Sequence, residues 1–312
     1  MKLYIDLSLS AADAAYLRQR VTADELIFGQ ELPEDEREAA ARRAEVIMGG
    51  PPVAWLRNNT VLRWLHLSSA GFNAYVGLAD AEPAFTVTNS AGLFGTPVAE
   101  TAVAGVLALL RGIPKFVELK DRRKWRGAEV RPELGKLSGR YAILLGHGSI
   151  GGTLATMLAG FGCRVETMGR TGDATFHTNE ELDVRLPKAD LVVATLPETD
   201  ETINLFDARR LELLSPDCIF VNVGRGSLVD EAALLQLLHA GRIGGAVLDV
   251  TRAEPLADDD PLWSAPRTLL TQHSAGGAAD EKRVLVDGFL DNLARYRDGK
   301  PLAHVVDLDR GY

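Results

Sequence analysis

The chain has 312 residues, of which 46% are hydrophobic and 25% charged, and its formal net charge is −9 at pH 7. This length predicts two globular domains, and the negative charge argues against nucleic acid or an anionic membrane as a partner. There is no apolar stretch of membrane-spanning length, no signal-like segment at the start and only two cysteines, so we expect a cytoplasmic protein without structural disulfides.

The first part of the chain has the pattern of a small α/β domain. Strands are predicted at Leu3–Leu9, Val46–Met48, Trp64–Leu67 and Phe85–Thr88, and helices at Ala11–Arg20 and Glu34–Arg43. No phosphate-binding motif occurs in this region.

A long helix is predicted to begin at Thr96 and Pro97, which suit the N-cap and first position, with Glu100 in the first turn. Its continuation, Val98–Leu110, is apolar nearly all round and is expected to be buried between domains. The segment Asp121–Arg140 is charged and irregular, and is expected to form an exposed arm.

From residue 140 onward, apolar strands alternate with helices. The predicted strands are Tyr141–Leu145, Cys163–Met168, Leu191–Leu196, Cys218–Val223, Gly245–Val250 and Thr268–Thr271, and helices are expected to begin near Ser149, Thr178, Asp207 and Asp230. This alternation predicts a parallel, doubly wound sheet that is covered on both faces. A last helix, Ala278–Arg297, is expected to return to the first domain.

A glycine-rich motif joins the first strand of this sheet to its helix. In YAILLGHGSIGG (141–152), Gly146, Gly148 and Gly151 form a G-x-G-x-x-G. The first glycine permits a tight turn, the second lets the backbone approach a pyrophosphate, and the third lets helix pack on strand. A strand–turn–helix without a ligand has the same outline, but this context favours dinucleotide binding.

The second strand of the sheet ends in Gly169, Arg170 and Thr171 rather than in the carboxylate that accepts hydrogen bonds from the ribose of NAD. Arg170 can pair with a 2′-phosphate and Thr171 can add a hydroxyl donor. The alternative is an arginine stacked on adenine at the surface. We therefore expect NADP in preference to NAD.

Charged side chains follow three later strands, at the edge of the sheet where ligands bind. They are Arg225 in VNVGRGSLVD, Asp249 and Glu254 in AVLDVTRAEPL, and His273 in LTQHSAGG. An arginine, a carboxylate and a histidine form a usable set for hydride transfer. Singly, each is equally compatible with an ordinary loop or surface residue.

Together these motifs resemble the D-isomer-specific 2-hydroxyacid dehydrogenases. The matching segments are GHGSIG (146–151), TLPETDET (195–202), NVGRGSLVDEAAL (222–234), GRIGGAVLDVTRAEPL (241–256) and TQHSAGG (271–277). Within the family the chain is most similar to the short glyoxylate/hydroxypyruvate reductases, which share the strand end GRT and the terminal RGY (310–312). Departures are Gln272, where proline is common, the Thr251–Ala253 stretch, and the polar His147.

The resemblance implies a Rossmann-type doubly wound parallel sheet domain, residues 96–280, plus a smaller flavodoxin-like α/β substrate domain, residues 1–95 and 281–312. Arg225, Glu254 and His273 would be catalytic: Arg225 binds the substrate carboxylate, His273 donates a proton, and Glu254 holds the imidazole. Substrate would be bound by Arg225, His273 and the N–H groups of Ala70 and Gly71.

The implied cofactor-binding positions are Gly146, His147, Gly148, Ser149, Ile150, Gly151, Arg170, Thr171, Leu196, Pro197, Val223, Gly224, Asp249, Ser274, Ala275 and Gly276. Asp249 would meet the nicotinamide carboxamide. No metal is expected. A homodimer is expected from the buried helix, the charged arm and the resemblance.

The sequence thus predicts an NADPH-dependent reductase of a small 2-keto acid, glyoxylate or hydroxypyruvate. One alternative is a D-lactate- or phosphoglycerate-type dehydrogenase that uses NAD, although only Arg57 and Arg63 lie near the Ala70 loop to bind a phosphorylated substrate. The other is a nucleotide-sensing, corepressor-like binding protein.

Overall fold

A computed structural model describes residues 1–22, 24–81, 85–170 and 172–308. The chain divides into two units, one formed by Met1–Phe94 with the chain from Ala278 onward, the other by Gly95–Gly277. Thr171 and the terminal RGY lie outside the described residues. No helix in the described part is both long and apolar enough to cross a membrane.

The first unit contains a five-stranded parallel sheet. Its strands are β1 (Lys2–Asp6), β2 (Glu25–Phe28), β3 (Val46–Gly49), β4 (Trp64–Leu67) and β5 (Thr86–Thr88). They lie in the order β2-β1-β3-β4-β5, which is the flavodoxin-like order. Strand β2 was not predicted from the sequence, because its three consecutive apolar residues, Leu26–Phe28, are too few to show a period.

The first four of these strands are connected by α1 (Ala11–Arg20), α2 (Glu34–Ala41) and α3 (Val53–Leu56). Helix α1 begins where predicted because the Ser10 side chain accepts a hydrogen bond from the Asp13 N–H. Helix α2 follows Pro33 as predicted but ends two residues earlier than expected.

The second unit contains a six-stranded parallel sheet. Its strands are β6 (Tyr141–Leu145), β7 (Arg164–Met168), β8 (Leu191–Ala194), β9 (Ile219–Asn222), β10 (Gly245–Leu248) and β11 (Thr268–Leu270). They lie in the order β11-β10-β9-β8-β6-β7. Beyond β7, Phe176 alone forms a parallel bridge to Met168, so the third strand of a doubly wound dinucleotide-binding sheet is reduced to one residue.

Among the residues that the structure describes in this unit, there are seven α-helices: α4 (Gly95–Leu110), α5 (Ile113–Asp121), α6 (Gly127–Val130), α7 (Ser149–Gly160), α8 (Asn179–Arg185), α9 (Ala208–Leu211) and α10 (Glu231–His239). The side chains of Thr178, Asp207 and Asp230 cap α8, α9 and α10. Together with the order of the first sheet, this confirms the predicted fold class.

Two local predictions in the second unit need correction. Helix α4 begins at Gly95 and has no acidic residue in its first turn, so Glu100 lies one turn further on. The arm at 121–140 is mostly exposed but not irregular throughout, because it contains α6 and buries Val130 and Leu137. Burial of these two apolar side chains anchors the segment 121–140 to the second unit.

The last helix, α11 (Glu281–Arg297), belongs to the first unit. Its buried residues Leu285, Phe289 and Leu293 join the core that includes Leu3 of β1. The ring of Phe289 stacks on Trp64 of β4 with the ring centroids 5.3 Å apart. Large apolar areas of helix and sheet are thereby removed from water.

Candidate active site

The glycine loop after β6 is constrained by close packing. Gly146 has φ of +110°, which disfavours any residue with a side chain. A Cβ at this position would overlap the Thr195 hydroxyl, and one at Gly151 would overlap the carbonyl oxygen of Gly146. The first and third glycines of the motif are therefore required by the protein itself.

The second glycine of the motif, Gly148, is not closely packed against the rest of the protein. A Cβ on Gly148 would meet no protein atom within 4 Å. Gly148 is also the N-cap of α7 and supplies no side-chain acceptor. The first helical hydrogen bond runs from Gly152 N–H to Gly148 O, at 2.8 Å. The N–H groups of the helix start therefore lie at the positive end of the helix dipole without a side-chain cap, an arrangement that fits a phosphate.

Arg170 lies just past β7, and its Nη1 is 4.0 Å from Glu201 Oε2, with side chains 56% and 78% exposed. An ion pair so exposed is weak. The acid within β7, Glu166, is already engaged: its carboxylate accepts hydrogen bonds from Tyr141 Oη and Arg185 Nε, each at 2.8 Å, and from Arg164. Thr171, the other residue predicted to bind the 2′-phosphate, lies outside the described residues.

Arg225 is presented on a turn that follows β9. The buried Asn222 shapes this turn: its Oδ1 accepts the Gly224 N–H at 3.1 Å, and its Nδ2 donates to the Arg225 carbonyl oxygen at 2.8 Å. A Cβ at Gly224 would lie 2.6 Å from the Leu196 carbonyl oxygen, so glycine is required there. The backbone at Arg225 is therefore fixed by the hydrogen bonds of Asn222 and by the close packing of Gly224 against Leu196.

The guanidinium of Arg225 is half-buried and donates through Nη1 to the Gly224 carbonyl oxygen at 2.7 Å. Among the described residues, no carboxylate lies within 4.0 Å of it. A partly desolvated cation without a paired anion can bind an incoming carboxylate through a planar, two-pronged contact.

Glu254 and His273 are in direct contact. His273 Nδ1 lies 2.7 Å from Glu254 Oε2, and Glu254 Oε1 accepts the Thr251 N–H at 3.0 Å. Because a carboxylate can only accept, Nδ1 carries the hydrogen. The Nε2 atom is then the nitrogen that can exchange a proton with a ligand.

The loop that carries His273 is fixed by Asp249, directly after β10. The Oδ1 atom of this buried carboxylate accepts hydrogen bonds from Thr271 Oγ1 at 2.6 Å, Ser274 N–H at 2.9 Å and Ala275 N–H at 3.1 Å. The His273 N–H also donates to the Asp249 carbonyl oxygen. Whatever else Asp249 contacts, it sets the path of this loop.

The two segments that carry Arg225 and Glu254 are pressed together. A Cβ at Gly226 would overlap the carbonyl group of Thr251. The Arg252 side chain crosses between the segments and donates to the carbonyl oxygen of Val229 at 3.0 Å and to the Asn204 side chain. Arg252, a departure from the family pattern, is therefore committed to the protein's own backbone.

The other predicted cofactor-binding residues of the second unit gather at the carboxyl ends of its strands. Leu196 follows β8 and lies close to both Gly146 and Gly224, and Pro197 comes next. The remaining positions lie in the first turn of α7, namely Ser149 and Ile150, and in the loops after β6, β9 and β11, namely His147, Val223, Ser274, Ala275 and Gly276. Ala70 and Gly71 belong to the first unit, where they follow β4.

The asparagine at the base of the Arg225 turn, Asn222, was not predicted from the sequence. Asn222 accepts a hydrogen bond from the N–H two residues onward, and Asn89 in the first unit does the same with Ala91, at 3.2 Å. This is the geometry of an Asx-turn. The signal in the sequence was an asparagine at the end of an apolar strand, or directly after it.

Comparison with known proteins supports the family that the sequence resembles. Residues 103–275 match the family model described as "D-isomer specific 2-hydroxyacid dehydrogenase, NAD binding domain". The glyoxylate/hydroxypyruvate reductase A of Escherichia fergusonii is 31% identical over 274 residues, which are 84% of this chain and 85% of that protein.

Solved structures agree over nearly the whole chain. A D-isomer specific 2-hydroxyacid dehydrogenase family protein from Aeromonas salmonicida superimposes with a TM-score of 0.85 at 31% identity, covering 99% of each chain. An NADPH-dependent glyoxylate/hydroxypyruvate reductase from Sinorhizobium meliloti, solved with NADP and sulfate, gives 0.84 at 25% identity, covering 100% of this chain and 99% of that one.

Proposed function

Because the chain belongs to the D-isomer specific 2-hydroxyacid dehydrogenase family, we propose that it reduces a small 2-keto acid, glyoxylate or hydroxypyruvate, with NADPH. Membership confirms the resemblance found in the sequence and makes the chain an NAD(P)-dependent oxidoreductase. The observation that carries the proposal furthest is the 2.7 Å contact between His273 and Glu254, on the same sheet edge as the glycine loop.

His273 is the proton donor of the proposed reaction. Glu254 keeps Nδ1 protonated and the ring oriented, so a protonated Nε2 can deliver its hydrogen to the carbonyl oxygen of the keto acid. The nicotinamide, when bound, supplies a hydride to the carbonyl carbon. Loss of the proton leaves a neutral imidazole, which must be reprotonated before the next turnover.

Arg225 binds the carboxylate of the keto acid and polarises its carbonyl group. Its guanidinium has no anionic partner within 4.0 Å in the described chain, and its turn is held by Asn222. In the first unit, the N–H groups of Ala70 and Gly71 are proposed to bind the carboxylate as well. Neither group donates to an acceptor in the described residues.

The start of α7 is the proposed pyrophosphate site. Its uncapped N–H groups and the open space beside Gly148 fit that anion. Arg170 is proposed to bind the 2′-phosphate of NADP, displacing a weak surface contact with Glu201. Asp249 is proposed to reach the nicotinamide carboxamide while it holds the His273 loop.

The assembly is proposed to be a homodimer formed through the second unit. Trp125, in the arm at 121–140, is fully exposed, and Ile113 and Val117 on α5 are 49% and 48% exposed. Contiguous exposed apolar patches are typical of interaction surfaces, and these three side chains are proposed to contribute to one. A second copy of the chain would remove them from water.

The test is steady-state oxidation of NADPH by the purified protein against a panel of keto acids that includes glyoxylate, hydroxypyruvate, pyruvate and phosphohydroxypyruvate. We expect turnover on the first two, and a fall in kcat of about 10²- to 10⁴-fold in His273→Gln. Arg225→Met should chiefly raise KM. Absence of turnover on every keto acid, or a wild-type rate in His273→Gln, would refute the proposal.

A further inference from the structure

The loop after β4 presents two N–H groups on a fixed frame. Ala70 is exposed and Gly71 partly exposed, whereas the next residue, Phe72, is 6% exposed and belongs to the core. In the described chain, neither Ala70 N–H nor Gly71 N–H has an acceptor. Such N–H groups can bind a carboxylate only if their peptide planes are held in a suitable direction.

One side chain fixes that direction. Asn89, 7% exposed and placed directly after β5, donates through Nδ2 to the Ala70 carbonyl oxygen at 2.6 Å. Its Oδ1 accepts the Ala91 N–H at 3.2 Å. Both contacts require the same orientation of the amide, because a main-chain N–H can only donate and a carbonyl oxygen can only accept.

The consequence follows from the planarity of the peptide bond. In a trans peptide the C=O and the N–H of one plane point in opposite directions. Since Asn89 holds the Ala70 carbonyl toward the protein, the N–H of Gly71 in that plane points away from Asn89. We propose that Asn89 is a positioning residue, which orients the Ala70–Gly71 peptide so that the Gly71 N–H binds the keto acid carboxylate.

This inference rests on the proposed function, since it assigns a role to a residue that would not touch the substrate. The base of the loop has a separate support in Ser90, whose Oγ donates to the Leu67 carbonyl oxygen at 2.8 Å and whose N–H donates to the Ser69 carbonyl oxygen at 3.0 Å. Loss of the Asn89 contact alone therefore leaves the loop attached.

The variant that tests the inference is Asn89→Asp. It keeps the size of the side chain and the acceptor for Ala91, but it places an oxygen against the Ala70 carbonyl oxygen and so turns the peptide away. We expect KM for glyoxylate to rise about tenfold or more, with a smaller change in kcat and an unchanged Kd for NADPH measured by fluorescence. Asn89→Ala removes the donor without adding charge and should show the same direction.

The matched control is Asn292→Asp in the same unit. Asn292 is 2% exposed, and its side chain likewise donates to a carbonyl oxygen and accepts an N–H, both of Ala303, at 3.0 and 2.8 Å. This variant should lower the melting temperature and leave KM at its wild-type value.

A wild-type KM in folded Asn89→Asp and Asn89→Ala overturns the inference. The inference is also overturned if the Asn89 variants lower the melting temperature but leave KM unchanged, as is expected for Asn292→Asp. The role of Asn89 would then be structural only. If the wild-type protein reduces no keto acid, the proposed function fails instead. The two failures are therefore distinguishable.

Discussion

Gly226 and Thr251 lie backbone against backbone, so closely that a Cβ at 226 would overlap the Thr251 carbonyl group. This contact joins the turn that presents Arg225 to the segment that presents Glu254. Besides the hydrogen bonds of Arg252, the two segments are thus held together by a backbone contact in which the side chains of Arg225 and Glu254 take no part.

We therefore expect Gly226→Ala to separate the two segments and to lower kcat/KM by about 10²-fold, the order of effect that a 1 Å misplacement has on catalysis. The measurement is NADPH oxidation with glyoxylate. Gly160→Ala, at the end of α7 where a Cβ meets no atom within 4 Å, is the control and should retain wild-type activity. Full activity in Gly226→Ala would contradict the coupling.

Cofactor preference is expected to depend on Arg170. Removal of its charge in Arg170→Ala should lower kcat/KM with NADPH by about ten- to a hundredfold, since charged hydrogen bonds contribute about 1.5–3 kcal/mol, and should change the value with NADH little. Glu201→Gln removes the exposed partner 4.0 Å away and should leave NADPH use intact or improved. Equal losses with both cofactors would refute the assignment.

The free energy of unfolding is expected to depend on pH through the titration of His66. Burial, aided by the charge of His304, lowers the pKa of His66 from 6.5 to about 4. The folded protein therefore binds this proton less readily than the unfolded chain, so the stability is fully present above pH 6.5 and is lost as pH falls toward 4. The expected loss is about 3 kcal/mol across that window.

His66→Phe should flatten this part of the profile, because it replaces the titrating ring with one that remains neutral. The measurement is urea unfolding at pH 7 and pH 5, compared with His239→Phe, where the histidine is exposed at the end of α10. An unchanged pH slope in His66→Phe would exclude His66 as its source.

Trp125 provides a test of the assembly. If its exposed ring packs against a second copy, Trp125→Glu should convert a dimer into a monomer in size-exclusion chromatography with light scattering. The control is Val184→Glu, on α8, where the apolar side chain is 70% exposed. A monomeric wild-type protein, or a Trp125→Glu variant that stays dimeric, would contradict the proposed interface.

Much of the second sheet could be predicted from the sequence because most of its strands are short apolar runs that are followed by glycine or polar residues. The helix starts at Thr178, Asp207 and Asp230 followed from capping chemistry. Strand β2 was missed because an edge strand of four residues carries too few side chains to show a period.

The contacts within the site could not be predicted in the same way. The residues of the Glu254–His273 pair lie 19 positions apart, and so do Ala70 and Asn89. Each pair joins loops from different strands, so its distance depends on strand order and loop path rather than on spacing. The resemblance supplied the first pair, and only the structure supplied the second.

Two neighbouring residues of the site, Gln272 and His273, have φ of +55° and +52°, in the left-handed region that disfavours side chains. Successive residues in that region are costly and persist only where the surroundings enforce them, as Asp249 does here. Selection for thermostability would therefore favour substitutions that remove this backbone strain, for example glycine in place of Gln272. Engineered variants of this protein should gain heat resistance there at the expense of turnover.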